Sequence, residues 1–179
     1  MASEIYQPSD DSYLMQKVLQ EKIPNLLKRN PNLKVLEIGA GSGVQLVILQ
    51  QNGVKNIFSS DINSHAVMQC KKLGFDCIQS DLFEKIKNKY NLIIFNPPYL
   101  PEDKREPSDS KLATTGGKDG SEIINKFLIQ AKKYLEKDGK IFLLTSSLTK
   151  NINWQDYKKT KIEEDDLFME KLFVWEVCV

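Results

Sequence analysis

Four short stretches of this chain combine side chains whose types and spacing could do chemistry. The first is Glu37-Ile38-Gly39-Ala40-Gly41-Ser42-Gly43, an apolar run passing into a glycine loop. Glycines there let the backbone approach a ligand closely and turn through positive φ. The second is Asp61, which closes an apolar run about 20 residues further on, where a carboxylate can accept both hydroxyls of a ribose. The third is Ser80-Asp81-Leu82-Phe83, whose acid could accept an exocyclic amine while Leu82 or Phe83 covers the ring. The fourth is Asn96-Pro97-Pro98-Tyr99, directly after the run Asn91-Leu92-Ile93-Ile94-Phe95. Its two prolines stiffen the loop and remove two backbone donors.

The glycine spacing and the acid before it select the ligand. The pattern is G-x-G-x-G and not the G-x-G-x-x-G of a dinucleotide site, since Val44 stands where that third glycine belongs. Glu37 would repel a pyrophosphate and suits a cation. S-adenosyl-L-methionine carries a sulfonium and an ammonium and no phosphate. At the fourth stretch, freed carbonyls and the Asn96 side chain form a rigid set of acceptors for a substrate NH2 group. A planar amide or exocyclic amine is a poor nucleophile because its lone pair is delocalised. Hydrogen bonds from its two N–H groups to Asn96 and the Pro97 carbonyl would hold it and favour charge developing on nitrogen. Tyr99 could stack on the planar group and tolerate a passing cation. Orientation of this kind can supply roughly 7–11 kcal/mol, and no strong general base is needed.

The elements that position these residues follow from the hydropathy pattern. Strands are expected over 34–38, 56–60, 75–79, 91–95 and 140–145, and helices over 44–51, 64–73 with Ser64 as cap, and 121–137. Alternating strands and helices imply a doubly wound α/β fold with a mostly parallel, Rossmann-like sheet. A helix is expected over 11–22, capped by Asp10 or Asp11, with Pro24 ending it or opening a further turn to residue 28. Two strands over 157–163 and 172–177, joined through 164–166, read as a C-terminal antiparallel hairpin at or near the sheet edge and complete seven strands.

Composition narrows the function further. With 25 Lys+Arg against 24 Asp+Glu and a net charge of +1 over 179 residues, the chain lacks the electrostatic footprint of a duplex-binding protein. A nucleic acid presented by a partner stays open. A domain of this size buries roughly 70% of its unfolded surface and needs no staple. Cys70, Cys77 and Cys178 include no CxxC pair, which argues against zinc or a disulfide framework and suits a reducing, cytoplasmic setting. No apolar run approaches the ~18–20 residues of a membrane span. His65 reads as a surface helix residue, and Lys85, Lys87, Lys89, Lys158, Lys159 and Lys161 as solvated faces. Trp154 and Trp175 read as core or interface aromatics and the cysteines as small buried hydrophobes.

Taken together these motifs resemble the class I S-adenosylmethionine-dependent methyltransferases of the NPPY branch. More narrowly, they resemble the HemK-related glutamine methyltransferases of the archaeal and eukaryotic type. The resemblance runs from Ile5 to about Leu144 and adds Tyr6-Gln7-Pro8-Ser9-Asp10-Asp11-Ser12 and Gly116-Gly117-Lys118-Asp119-Gly120 to the four stretches. It implies a helical extension over 1–30 that contributes to the cofactor site, and a methyltransferase domain over 31–179. By this resemblance Ser12, Glu37 and Gly39 would line the methionine end of the cofactor, Asp61 the ribose, and Asp81 with Leu82 the adenine, with Gly41 and Ile62 also binding the cofactor. Asn96, beside the cofactor, would hold the target amide with Pro97, Pro98 and Tyr99. The family target is the glutamine of the Gly-Gly-Gln loop in a class 1 peptide-chain release factor. The family partner is a small zinc-binding activator subunit, expected along 75–78. This chain departs from the family in carrying Gln7 where the motif has Glu, in having no room for the helical N-terminal domain of bacterial members, and in a shortened region after Ser147.

Methylation of an exocyclic amine of adenine or guanine in RNA or DNA is the alternative with the same acceptor geometry. A nicotinamide oxidoreductase is opposed by the glycine spacing and Glu37, and a non-catalytic scaffold by the intact set of acids. Replacing Asn96 by Ala is expected to leave cofactor affinity nearly unchanged and to lower turnover by about 10²–10³. Asp61→Ala should chiefly weaken cofactor binding. Steady-state kinetics with binding calorimetry checks both, and full activity of Asn96→Ala would remove the NPPY loop from the acceptor site.

Overall fold

The computed structural model describes residues 5–103 and 114–179. Seven strands form one sheet: β1 (Lys34–Ile38), β2 (Asn56–Asp61), β3 (Asp76–Gln79), β4 (Tyr90–Phe95), β5 (Leu135–Ser146), β6 (Lys158–Asp166) and β7 (Lys171–Cys178). Their order is β3-β2-β1-β4-β5-β7-β6. The first five pair in parallel, and β7 joins antiparallel to β5 and β6. Among the described residues, the helices covering the sheet are α1 (Asp10–Arg29), α2 (Val44–Gln51), α3 (Ser64–Lys72) and α4 (Glu122–Ala131). Met1 to Glu4, the start of the expected extension, lie outside the described residues.

The apolar runs become central strands because both their faces are covered. Successive β1 side chains serve opposite layers, as a period of two requires. Val35 packs with Leu14, Val18 and Leu19 of α1, Leu49 of α2, and Leu92, Ile94, Phe142 and Leu144. Leu36 and Ile38 pack on the other side with Ile93, Phe95, Ile141 and Leu143, against Ile124, Phe127 and Leu128 of α4. A smaller cluster of Ala40, Leu46, Val67, Cys70, Phe75 and Cys77 seats α3 under the glycine loop. The C-terminal hairpin closes one edge with Trp154 and Trp175, whose ring centroids are 5.3 Å apart with the Lys159 ammonium 4.0 Å from the Trp154 ring. Strand order reverses between β1 and β4, so the loops after them diverge and leave a crevice.

Several element boundaries differ from the sequence pattern. Helix α1 runs through Pro24 to Arg29, because the fully buried Met15, Leu19 and Ile23 hold it against the sheet despite the missing N–H. Ser9 holds the N-cap position, which leaves Asp10 and Asp11 inside the first turn. Asn63, not Ser64, caps α3, its side chain accepting from the His65 N–H at 2.9 Å. Helix α4 stops at Ala131 and a 3-10 turn over Lys132–Tyr134 follows, since Leu135 pairs with Tyr90 and begins β5 early. The ladder then shifts register before Lys140 pairs with Leu92, with Asp138 at φ 62°. The hairpin turn falls over 167–170 and not 164–166, because the ladder extends to Asp166 opposite Lys171.

Candidate active site

A cavity of about 330 Å³ opens at the C-terminal ends of β1, β2, β3 and β4. Ser12, Glu37, Gly39, Gly41, Asp61, Ile62, Asp81, Leu82, Asn96, Pro97 and Pro98 all line it. Residues from four separate strand ends and from α1 are thus brought together. Tyr99 is placed apart from them. It lines an adjoining cavity of about 190 Å³ with Asp10, Glu170 and Leu172, and the two cavities share Tyr6 and Asp11 as walls.

Backbone geometry fixes the acids. Gly41 turns at φ 52°, and its N–H donates to Asp61 Oδ2 at 2.8 Å. The Asn63 N–H donates to Asp61 Oδ1 at 2.7 Å. Each carboxylate oxygen has a second lone pair, so Asp61 is oriented without being saturated. Burial pushes the Asp61 carboxyl up, partly opposed by its bonds to the Gly41, Asn63 and Ile62 backbone. Glu37 is 3% exposed and its Oε2 has no hydrogen-bond partner. Burial raises its carboxyl well above the ordinary value, and the nearby Asp61 and Cys77 add to this. A buried, unpaired carboxylate oxygen on a cavity wall is a receptor for a cation. On the third loop, Ser80 Oγ donates to the Leu82 carbonyl at 3.1 Å and accepts from the Lys85 N–H at 3.0 Å. That turn holds Leu82 at φ 45°, which costs a non-glycine residue about 1 kcal/mol.

The Asn96 amide has a fixed sense. Its Nδ2 donates to Asp11 Oδ2 at 3.1 Å, since only the NH2 end can face a carboxylate. The other end, Oδ1, is buried and without a partner. Asp11 is itself 5% exposed, and its Oδ1 accepts from the Ser12 N–H at 2.5 Å and the Tyr6 hydroxyl at 3.1 Å. The loop after β4 is backed by the Gly116–Gly120 turn. A Cβ at Gly116 would lie 2.5 Å from the Pro98 carbonyl oxygen, and one at Gly120 would lie 2.3 Å from that of Tyr99. Only glycines let these two backbones touch.

Asp11, Ile123 and Lys126 are contributors that the sequence does not mark as site residues. Asp11 stands in a motif and at a cap position, and nothing local announces its tie to Asn96, 85 residues away. The 121–137 pattern displays its buried face, whereas Ile123 and Lys126 on the other face reach the cavity. Lys126 Nζ lies 2.6 Å from Asp81 Oδ2, so the acid expected to meet an amine already holds an ion-pair partner.

Comparisons with known proteins agree with this geometry. The methyltransferase small domain family matches residues 15–157. A Methanocaldococcus jannaschii protein, named provisionally as a protein N5-glutamine methyltransferase, is 40% identical over 154 residues, covering 82% of this chain and 74% of that protein. The Schizosaccharomyces pombe eRF1 methyltransferase catalytic subunit mtq2 is 28% identical over 172 residues, again covering 82% and 74%. The solved E. cuniculi Mtq2-Trm112 complex, described as responsible for methylating the termination factor eRF1, shares the fold. Its TM-score is 0.70 at 22% identity, with 97% of each chain covered. A Bacteroides fragilis SAM-dependent methyltransferase with S-adenosyl-L-homocysteine aligns at TM-score 0.57 and 18% identity over 90% of this chain and 76% of that one.

The burial of Glu37 has a sign that can be measured. Its raised folded-state pKa means the folded protein holds a proton that the unfolded chain releases near pH 4.5. That stability is present below pH 4.5 and is lost as pH rises through the folded value. Glu37→Gln is expected to raise the thermal midpoint, with a gain that grows from pH 5 to pH 8. A difference from the parent that stays constant across that range would contradict the assignment.

Proposed function

Because this chain belongs to the methyltransferase small domain family and is an S-adenosylmethionine-dependent methyltransferase, we propose that its acceptor is the side-chain amide nitrogen of a glutamine. The substrate in this reading is the Gly-Gly-Gln loop of a class 1 peptide-chain release factor, and the product is 5-N-methylglutamine. The observation that carries it is the Asn96 side chain. Asp11 holds its NH2 end, which leaves a buried, unpartnered oxygen as an acceptor at the cavity. Supporting it are two relatives, one named provisionally for protein glutamine and one named for eRF1.

The residues present fit the cofactor, since Glu37 offers an unpaired carboxylate oxygen to its ammonium. When bound, S-adenosylmethionine supplies a methyl activated by a positive sulfur. In this reading Ser12, Glu37, Gly39 and Gly41 hold the methionine end, Asp61 and Ile62 the ribose, and Asp81 and Leu82 the adenine. Asn96 Oδ1 and the Pro97 carbonyl accept the two amide hydrogens and so turn the nitrogen toward the methyl. Pro97 and Pro98 keep those acceptors rigid. Asp11 is a positioning residue, one bond behind Asn96. Tyr99 bounds the acceptor from the second cavity.

In this reading the partner is a small activator subunit, and the open edge of the sheet supports it. Strand β3 is terminal in the strand order. Phe75 and Cys77 point inward, while Ile78 at 42%, Met68 at 50% and Leu73 at 42% are exposed beside that edge. A small zinc-binding activator subunit would cover this apolar strip. No helix among the described residues is long and apolar enough to cross a membrane. In this reading a cytoplasmic release factor is the substrate, and the enzyme works beside it.

Mass spectrometry of a Gly-Gly-Gln release factor incubated with enzyme and cofactor, with and without the activator, tests this reading. One added methyl on the glutamine is expected, with a higher yield when the activator is present. Methyl on total RNA or DNA, and none on the release factor, would move the acceptor to an exocyclic amine. Asp11→Ala frees the Asn96 amide to turn, and kcat is expected to fall about tenfold or more while cofactor affinity changes little. Unchanged kcat would remove Asp11 from the acceptor site.

A further inference from the structure

We propose that Lys126 positions Asp81 and sets the enzyme's preference for a 6-amino purine in the cofactor. The proposal rests on the reading of Asp81 as the adenine contact. Lys126 Nζ lies 2.6 Å from Asp81 Oδ2, and both residues line the main cavity. Their supports are rigid on both sides. The far face of α4 is anchored by Ile124, Phe127, Leu128 and Ala131, each at most 1% exposed. Its first turn is tied down by the Glu122 N–H donating to the Gly116 carbonyl at 3.1 Å, and by the Asp119 N–H donating to Glu122 Oε1 at 3.0 Å. Ile123 and Lys126, three residues apart, therefore share the face toward the cavity. Opposite them, Asp81 stands in the turn that Ser80 Oγ braces.

Across the cavity wall this ion pair presents one free carboxylate oxygen beside an ammonium with hydrogens to spare. An acceptor next to a donor complements the adenine edge, where the 6-amino group donates and N1 accepts. A 6-oxo purine carries the reverse order, so its oxygen would meet the carboxylate. Without Lys126 the Asp81 carboxylate could rotate and accept from the N1–H of the 6-oxo base. Lys126 thus limits Asp81 to one acceptor position, and the exposed pair acts on selectivity more than on stability.

Calorimetric titration of the full chain with S-adenosylmethionine and with its 6-oxo (inosyl) counterpart tests this. Lys126→Ala is expected to weaken S-adenosylmethionine binding by about 2–5-fold, the range of an exposed ion pair. It should weaken the 6-oxo compound less, which narrows the ratio between the two ligands. It should also raise the cofactor KM by a larger factor than it lowers kcat, and Lys126→Arg should restore the ratio. Asp81→Ala, which removes the acceptor, should cost about tenfold or more with S-adenosylmethionine. If Asp81→Ala weakens binding while Lys126→Ala leaves both affinities and their ratio unchanged, the role of Lys126 is overturned and that of Asp81 stands. If Asp81→Ala has no effect, the adenine assignment fails and the proposal fails with it.

Discussion

The hydrogen bond from Asn96 Nδ2 to Asp11 Oδ2 joins the two halves of the site. One partner ends a central strand, and the other lies in the first turn of α1. Asp11 can reach Asn96 only because α1 is pinned along its length by Leu14, Met15, Val18, Leu19 and Ile23. Asn96 stays in place because β4 is buried on both faces. Packing far from the cavity therefore sets which end of one amide looks into it. Reversing that amide would turn an acceptor into a donor and remove any attraction for a second NH2 group.

The other acids are held by a different balance. Glu37 and Asp61 sit where water is scarce, and burial disfavours the charge of both. Backbone N–H groups of the glycine loop and of the α3 entry offset the cost for Asp61. Glu37 has no such compensation at Oε2. The site thus gives up some folding stability for a strong receptor of positive charge. A cationic ligand that satisfies Glu37 returns that stability on binding.

Much of this arrangement was legible in the sequence. Strands β1 and β4 stood out as short apolar runs, and their ends marked the glycine loop and Asn96 because loops at strand ends carry ligand groups. The path of α1 past Pro24 was not legible, since tertiary burial outweighs the local cost of proline. The break between α4 and β5 was hidden too, because Leu135 fits a helical stripe as well as a ladder partner for Tyr90. Asp11 and Lys126 escaped for a common reason. Their partners are 85 and 45 residues away, and no local period encodes a contact at that range. Tyr99 lies in the predicted loop but lines the second cavity with Asp10 and Asp11 of α1, and Gly120 packs against its carbonyl.

The tryptophan pair has a practical side. Both indoles of the chain lie at the C-terminal hairpin, 5.3 Å apart and under one lysine, and neither lines the main cavity. Intrinsic emission is therefore a reporter of whether the hairpin is docked on β5. Trp175 pairs with Leu143, which pairs with Phe95 beside Asn96, so the same emission originates two strands away from the cavity end of β4. A denaturation curve followed by fluorescence would register loss of that edge.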